Sequence, residues 1–129
     1  MRERAAGGRI INMGSIMGSA SLTGAPDYCA AKGAILAFTR ATAREAASYG
    51  VLANAIAPGF IETPLLSCIE ADSKRLIAMQ TPLGRLGSPE DIAACALYLA
   101  SPAAGWVTGK VFQIDGGAEA PAIRIPTPR

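Results

Sequence analysis

The chain has 129 residues, half of them hydrophobic, and a formal net charge of +2. That length suits one domain with a packed core, and the absence of a basic run argues against nucleic acid as a partner. There is no histidine, which removes Ser-His-Asp hydrolases, Cys-His proteases and histidine-ligated metal sites.

Residues 9–13 (RIINM) are a short β-prone run after Gly7-Gly8. Residues 14–25, rich in Gly, Ser and Thr, read as a loop. Pro26 fits a first helical turn and Asp27 its positive end. The helix that follows is expected to run about twenty residues, to near Tyr49. Its buried face would hold Ile35, Leu36, Phe38, Ala41 and Ala46, and Gly50 is a natural stop. Residues 51–57 (VLANAIA) read as a second strand, ended by Pro58-Gly59. A helix is expected near 71–79, between Pro64 and Pro82. Ser88-Pro89-Glu90-Asp91 is a helix start: a cap, a proline and two acids in the first turn. That helix should reach about Ala100, before Pro102. Residues 110–115 (KVFQID) form a third strand, closed by Gly116-Gly117. The segment from Ala118 carries Pro121, Pro126 and Pro128 and is expected to be extended or mobile.

Strands alternating with helices predict a parallel α/β sheet with right-handed connections. Ligands of such sheets bind beyond the carboxyl ends of the strands, where Ser15 and Pro58-Gly59 fall. Cys29, Cys68 and Cys95 are odd in number and include no C-x-x-C. They read as small buried hydrophobes in a reduced, cytoplasmic, metal-free protein. The longest apolar stretch, 92–100, is too short to span a bilayer, so no membrane partner is expected. Met1-Arg-Glu-Arg is followed by no apolar region and predicts no export signal.

Ser15, Tyr28 and Lys32 carry the chemistry. Four residues on a helix place Tyr28 and Lys32 on one face. A tyrosine beside a fixed positive charge can trade a proton near neutral pH. A unit cation about 4 Å from a phenolate, at an effective dielectric of about 20, stabilises it by about 4 kcal/mol. A serine hydroxyl can hold the oxygen that receives the proton. These are the needs of ketone–alcohol interconversion. Gly14-Ser15-Ile16-Met17-Gly18 is not a nucleophile elbow, which requires G-x-S-x-G.

Five ordered blocks support a family resemblance: GRIINMGS (8–15), Tyr28-Cys-Ala-Ala-Lys32, NAIAPGFIETPL (54–65), PLGRLGSPEDIA (82–93) and VTGKVFQIDGG (107–117). Through them the chain resembles the C-terminal half of a short-chain dehydrogenase/reductase, most of all members of the 3-oxoacyl-carrier-protein reductase type. The resemblance implies a Rossmann-like, doubly wound parallel α/β sheet, incomplete on its cofactor-binding side. Residues 1–117 would form that domain part, and 118–129 a Pro-rich tail. It implies Tyr28 as general acid and base. Lys32 would bind the nicotinamide ribose and acidify the phenol, and Ser15 would bond the substrate oxygen. Pro58, Gly59, Ile61 and Thr63 would lie along the cofactor, NAD or NADP. Residues 64–80 would be the flap over a small carbonyl or alcohol substrate.

Ser19 and Ser21 are rivals to Ser15, but the thirteen-residue interval to Tyr28 favours Ser15. Asp115-Gly116-Gly117 reads as structural, and Asn12, inside the first strand, is assigned no proton relay. The family's T-G-x-x-x-G-x-G phosphate turn, its residue choosing NAD or NADP and its relay asparagine have no match in these 129 residues. The chain is therefore expected to start inside the family fold, leaving strand 9–13 at an edge open to pairing. A homo-oligomer is expected, with the helix from Asp27 packing on its twin. The alternatives to an oxidoreductase are a non-catalytic interaction module and one half of a split enzyme.

Overall fold

The computed structural model describes residues 7–119. The Met1-Arg-Glu-Arg opening and the prolines at 121, 126 and 128 lie outside the described residues. In chain order the elements are β1 (Gly8–Met13), α1 (Pro26–Ala46), β2 (Val51–Pro58), α2 (Ala71–Gln80), α3 (Pro89–Ala100) and β3 (Val111–Ile114). The strands form one parallel sheet in the order β1-β2-β3. Gly8 pairs with Val51 and Met13 with Ile56, while Ala55 pairs with Val111 and Pro58 with Ile114.

β2 is central, and Val51, Ala53, Ala55, Ile56 and Ala57 are all buried. A strand covered on both faces carries a continuous apolar run instead of an alternating one, which is why VLANAIA lacks a polar face. α1 covers one face of the sheet. Its buried residues are Leu36, Thr39 and Ala43, spaced by three and four as a helix stripe requires. Ile35 and Ala46 are half-buried, but Ala41 is exposed and Phe38 is 63% exposed. Phe38 lies two positions from Leu36, roughly 200° around the helix, so hydrophobicity alone placed it on the wrong face. α1 gives way to a short 3-10 turn at Ala47–Tyr49, and Gly50 closes it at φ 67°.

α3 covers the opposite face. The Asn12 side chain bonds Thr39 of α1, whereas neighbouring Ile11 packs against the cluster of Ile56, Leu99 and Ala104. Successive strand residues point to opposite faces, so α1 and α3 flank the sheet. Both connections step the same way across it, from β1 to β2 and from β2 to β3. With their helices on opposite faces they have opposite hands, and the expectation of right-handed connections throughout does not hold. The β2–β3 connection passes through α2 before α3, which relaxes the constraint that acts on a direct strand–helix–strand unit.

α3 starts as expected: Ser88 and Asp91 form a reciprocal capping box with Pro89 in the first turn. Asn54, buried in β2, donates to the Val107 carbonyl at 2.8 Å and accepts from the Lys110 amide at 3.0 Å. It thereby fastens the turn before β3. Cys29 and Cys95 are half-buried, and burial pushes the Cys95 thiol up. Cys68 is exposed, contrary to expectation, because it ends a surface 3-10 turn over Pro64–Cys68. β1 is the outer strand, with β2 as its partner among the described residues. No described helix is long and apolar enough to cross a membrane.

Candidate active site

The loops after β1 and β2 meet at the carboxyl end of the sheet. After β1, the Gly14 amide donates to the Ile56 carbonyl at 2.8 Å, extending the ladder by one step. Ser15 then caps the 3-10 turn Ile16–Gly18, its Oγ accepting from the Met17 amide at 3.1 Å. Ser15 is buried. That bond uses a lone pair and leaves the hydroxyl proton to donate.

The turn rests directly on α1. A Cβ on Gly18 would lie 2.9 Å from the Lys32 carbonyl carbon and oxygen, so a glycine is what lets the serine loop approach the helix. Tyr28 stands in the first turn of α1 and Lys32 in the next. The Lys32 ammonium lies 5.7 Å from the Tyr28 ring centroid, as the four-residue spacing predicts. It also donates to the Met13 carbonyl at 3.3 Å. An ammonium has three N–H donors, so others remain for a ligand.

Beyond β2, the Gly59 amide donates to the Ile114 carbonyl at 2.9 Å. A Cβ there would lie 2.8 Å from the Asp115 Cα, which explains the glycine after Pro58. Ile61 forms an isolated parallel bridge with Gly87. Thr63 precedes the turn at Pro64–Cys68.

These segments enclose one open cavity of about 730 Å³. Ser15, Tyr28, Lys32, Pro58, Gly59, Ile61 and Thr63 all line it. Of the expected flap, Leu65, Leu66 and Ile69 reach the cavity. α2 contributes no lining residue, and its Leu76 and Met79 are exposed. Ser19 and Ser21 do not line the cavity; the Ser19 hydroxyl lies 3.0 Å from the Ile16 carbonyl oxygen and 3.2 Å from Glu119 Oε2, either of which can accept its one proton. Asn12 is also outside it, donating to Thr39 Oγ1 at 2.9 Å. Asp115 accepts from the Gly117 and Glu119 amides at 2.9 and 3.0 Å, a turn-forming role, as expected.

The walls contain residues that sequence reasoning passed over: Met13, Met17, Leu22, Phe60 and Ile92. Behind the Phe60–Ile61 wall, Arg85 forks onto Asp91 at 2.7 and 3.2 Å. The hydrogen bonds from Arg85, then that from the Ser88 amide, hold the Asp91 carboxyl well below the usual carboxylate range. No group of His, Cys, Asp and Glu among the described residues is arranged to hold a metal ion.

Residues 1–119 match the family model described as enoyl-(acyl carrier protein) reductase. The 3-oxoacyl-[acyl-carrier-protein] reductase FabG of Vibrio harveyi is 44% identical over 117 residues, which are 91% of this chain and 47% of the relative. Nodulation protein G of Azospirillum brasilense is 44% identical over 110 residues, 85% of this chain and 45% of that protein. Among solved structures, a short-chain type dehydrogenase/reductase from Mycobacterium marinum superposes with a TM-score of 0.87 at 36% identity, covering 93% of this chain and 48% of that one. A gluconate 5-dehydrogenase from Burkholderia cenocepacia J2315, in complex with NADP and tartrate, gives 0.86 at 32% identity, covering 91% and 47%. The chain thus spans about half the length of the relatives it matches.

Proposed function

This chain belongs to the short-chain dehydrogenase/reductase family, and on that premise we propose that it carries the acid–base side of an NAD(P)-dependent carbonyl–alcohol oxidoreductase. The observation that carries the reading is the cavity that Ser15, Tyr28 and Lys32 share with Pro58, Gly59, Ile61 and Thr63.

A nicotinamide dinucleotide, NAD or NADP, supplies the hydride when bound. The residues present fit its nicotinamide–ribose end. Lys32 offers spare ammonium donors to ribose hydroxyls, and Pro58 and Gly59 line the same cavity. Ile61 offers an apolar surface to a flat ring. In reduction, the Tyr28 hydroxyl gives its proton to the carbonyl oxygen; in oxidation, the phenolate takes the proton of the alcohol. Ser15 donates to the same oxygen and holds it in reach of Tyr28. The substrate is a small carbonyl compound or secondary alcohol.

Association into a homo-oligomer belongs to this reading, supported by exposed Phe38, Leu97 and fully exposed Trp106. A second reading, an interaction module without catalysis, draws on the outer position of β1, which presents a free strand edge.

The test is reduced-nicotinamide oxidation by the chain across a panel of carbonyl compounds, with Tyr28→Phe beside wild type. Loss of one general acid should lower kcat about 100- to 10,000-fold. A Tyr28→Phe variant that turns over like wild type, or a folded wild type inert with both cofactors, would refute the catalytic reading.

A further inference from the structure

We propose that the Arg85–Asp91 ion pair is a positioning device that sets the Ile61–Thr63 wall of the main cavity, acting through Gly87. The inference rests on the functional reading above for what that wall contacts, but its mechanical part stands on its own geometry.

The wall leaves β2 at Pro58 and is fixed at its start by the bond from the Gly59 amide to Ile114. Further on, its described backbone contacts run to Gly87: the Gly87 amide donates to the Phe60 carbonyl at 2.9 Å, and the Glu62 amide to the Gly87 carbonyl at 2.8 Å. Behind Phe60 and Ile61 lies a second cavity of about 150 Å³, also bounded by Arg85 and Asp91. A wall backed by a void has room to yield. Its placement therefore depends on what places Gly87.

Both chain neighbours of Gly87 are tied to the same carboxylate. On one side, Arg85 Nη1 donates to the Leu86 carbonyl at 3.0 Å while the guanidinium forks onto Asp91. On the other, the Ser88 amide donates to Asp91 Oδ2 at 2.8 Å. Gly87 itself sets Ile61, for a Cβ at Gly87 would lie 2.5 Å from Ile61 Cδ1. The capping box of Ser88 and Asp91 is sufficient to start α3. Arg85 is not a member of that box, although it donates to the Asp91 Oδ2 that accepts from the Ser88 amide. What it adds is a clasp around Gly87, in the bidentate form that gives an ion pair directional specificity. With side chains 55% and 34% exposed, the pair contributes little to global stability. Its effect is geometric.

The test uses Arg85→Gln, which removes the fork and leaves the capping box, and Arg85→Lys, which keeps the charge without the planar fork. Amide exchange at Glu62 and Gly87, melting temperature and reduced-nicotinamide affinity are measured for each. In Arg85→Gln, exchange at those two amides should rise about tenfold, as for a locally released segment, with protection inside α3 and the melting temperature nearly unchanged. The cofactor Kd should rise about fivefold, and Arg85→Lys should recover part of both effects. Unchanged exchange at Glu62 and Gly87 overturns the proposal. So does faster exchange with an unchanged Kd. A wild type that binds no nicotinamide sinks the functional reading instead, and exchange alone then decides whether the pair holds the wall.

Discussion

Gly18→Ala tests the close approach that brings the serine loop to the Tyr28–Lys32 helix. The new methyl would lie 2.9 Å from Leu36 Cδ1 and from the Lys32 carbonyl carbon and oxygen. Carbon–carbon contacts are comfortable at about 3.5–4.0 Å, so roughly 0.6–1 Å must be found. Leu36 can turn aside, but Lys32 offers backbone inside a helix, and the loop and α1 have to separate. Overpacking of this kind costs about 1–3 kcal/mol. For a chain of 129 residues each kcal/mol lowers Tm by about 4 °C. The same separation draws Ser15 away from Lys32, so ligand affinity should fall with stability. Urea denaturation gives the stability loss directly, as a shift in midpoint at constant slope. A variant as stable as wild type would refute the packing of the serine loop on α1.

Asn54→Leu should destabilise the chain by about 1–3 kcal/mol in urea denaturation, because the Lys110 amide and the Val107 carbonyl lose their buried partner. A neutral effect would mean that the turn before β3 is held otherwise. The Asp91 carboxyl should titrate below the other carboxylates in a carbon-detected NMR titration, and Arg85→Gln should move it back toward the ordinary value of 3.8. Its folded-state value is depressed, so its stabilisation is fully present above that ordinary value and is lost as pH falls toward the depressed one. High salt should weaken the effect, since the pair is partly exposed.

Signals that act over a few residues were legible. The three strands fall within about a residue of their expected bounds, and Ser88-Pro89-Glu90-Asp91 opens α3 as read. The parallel order follows from alternating strands and helices. What depends on tertiary partners was not legible. Phe38 is as hydrophobic as Leu36, and only the sheet decides which of them is covered. Asn54 sits unnoticed in an apolar run because its partners are more than fifty positions away in the chain. The opposite hands of the two connections were not legible either, although the helix near 71–79 that lengthens the second connection was expected. Ser15, Tyr28 and Lys32 were named from their spacing and Pro58, Gly59, Ile61 and Thr63 from the family resemblance, and all seven line one cavity. The apolar walls around them escaped notice, since Met13 and Ile92 read equally well as ordinary core residues.

The most direct measurement is a titration of the chain with NADH and NADPH, followed by nicotinamide fluorescence, on wild type, Lys32→Ala and Tyr28→Phe. The account predicts saturable binding that Lys32→Ala weakens strongly and Tyr28→Phe largely retains. No binding of either cofactor by a folded sample, or binding indifferent to Lys32→Ala, would contradict it.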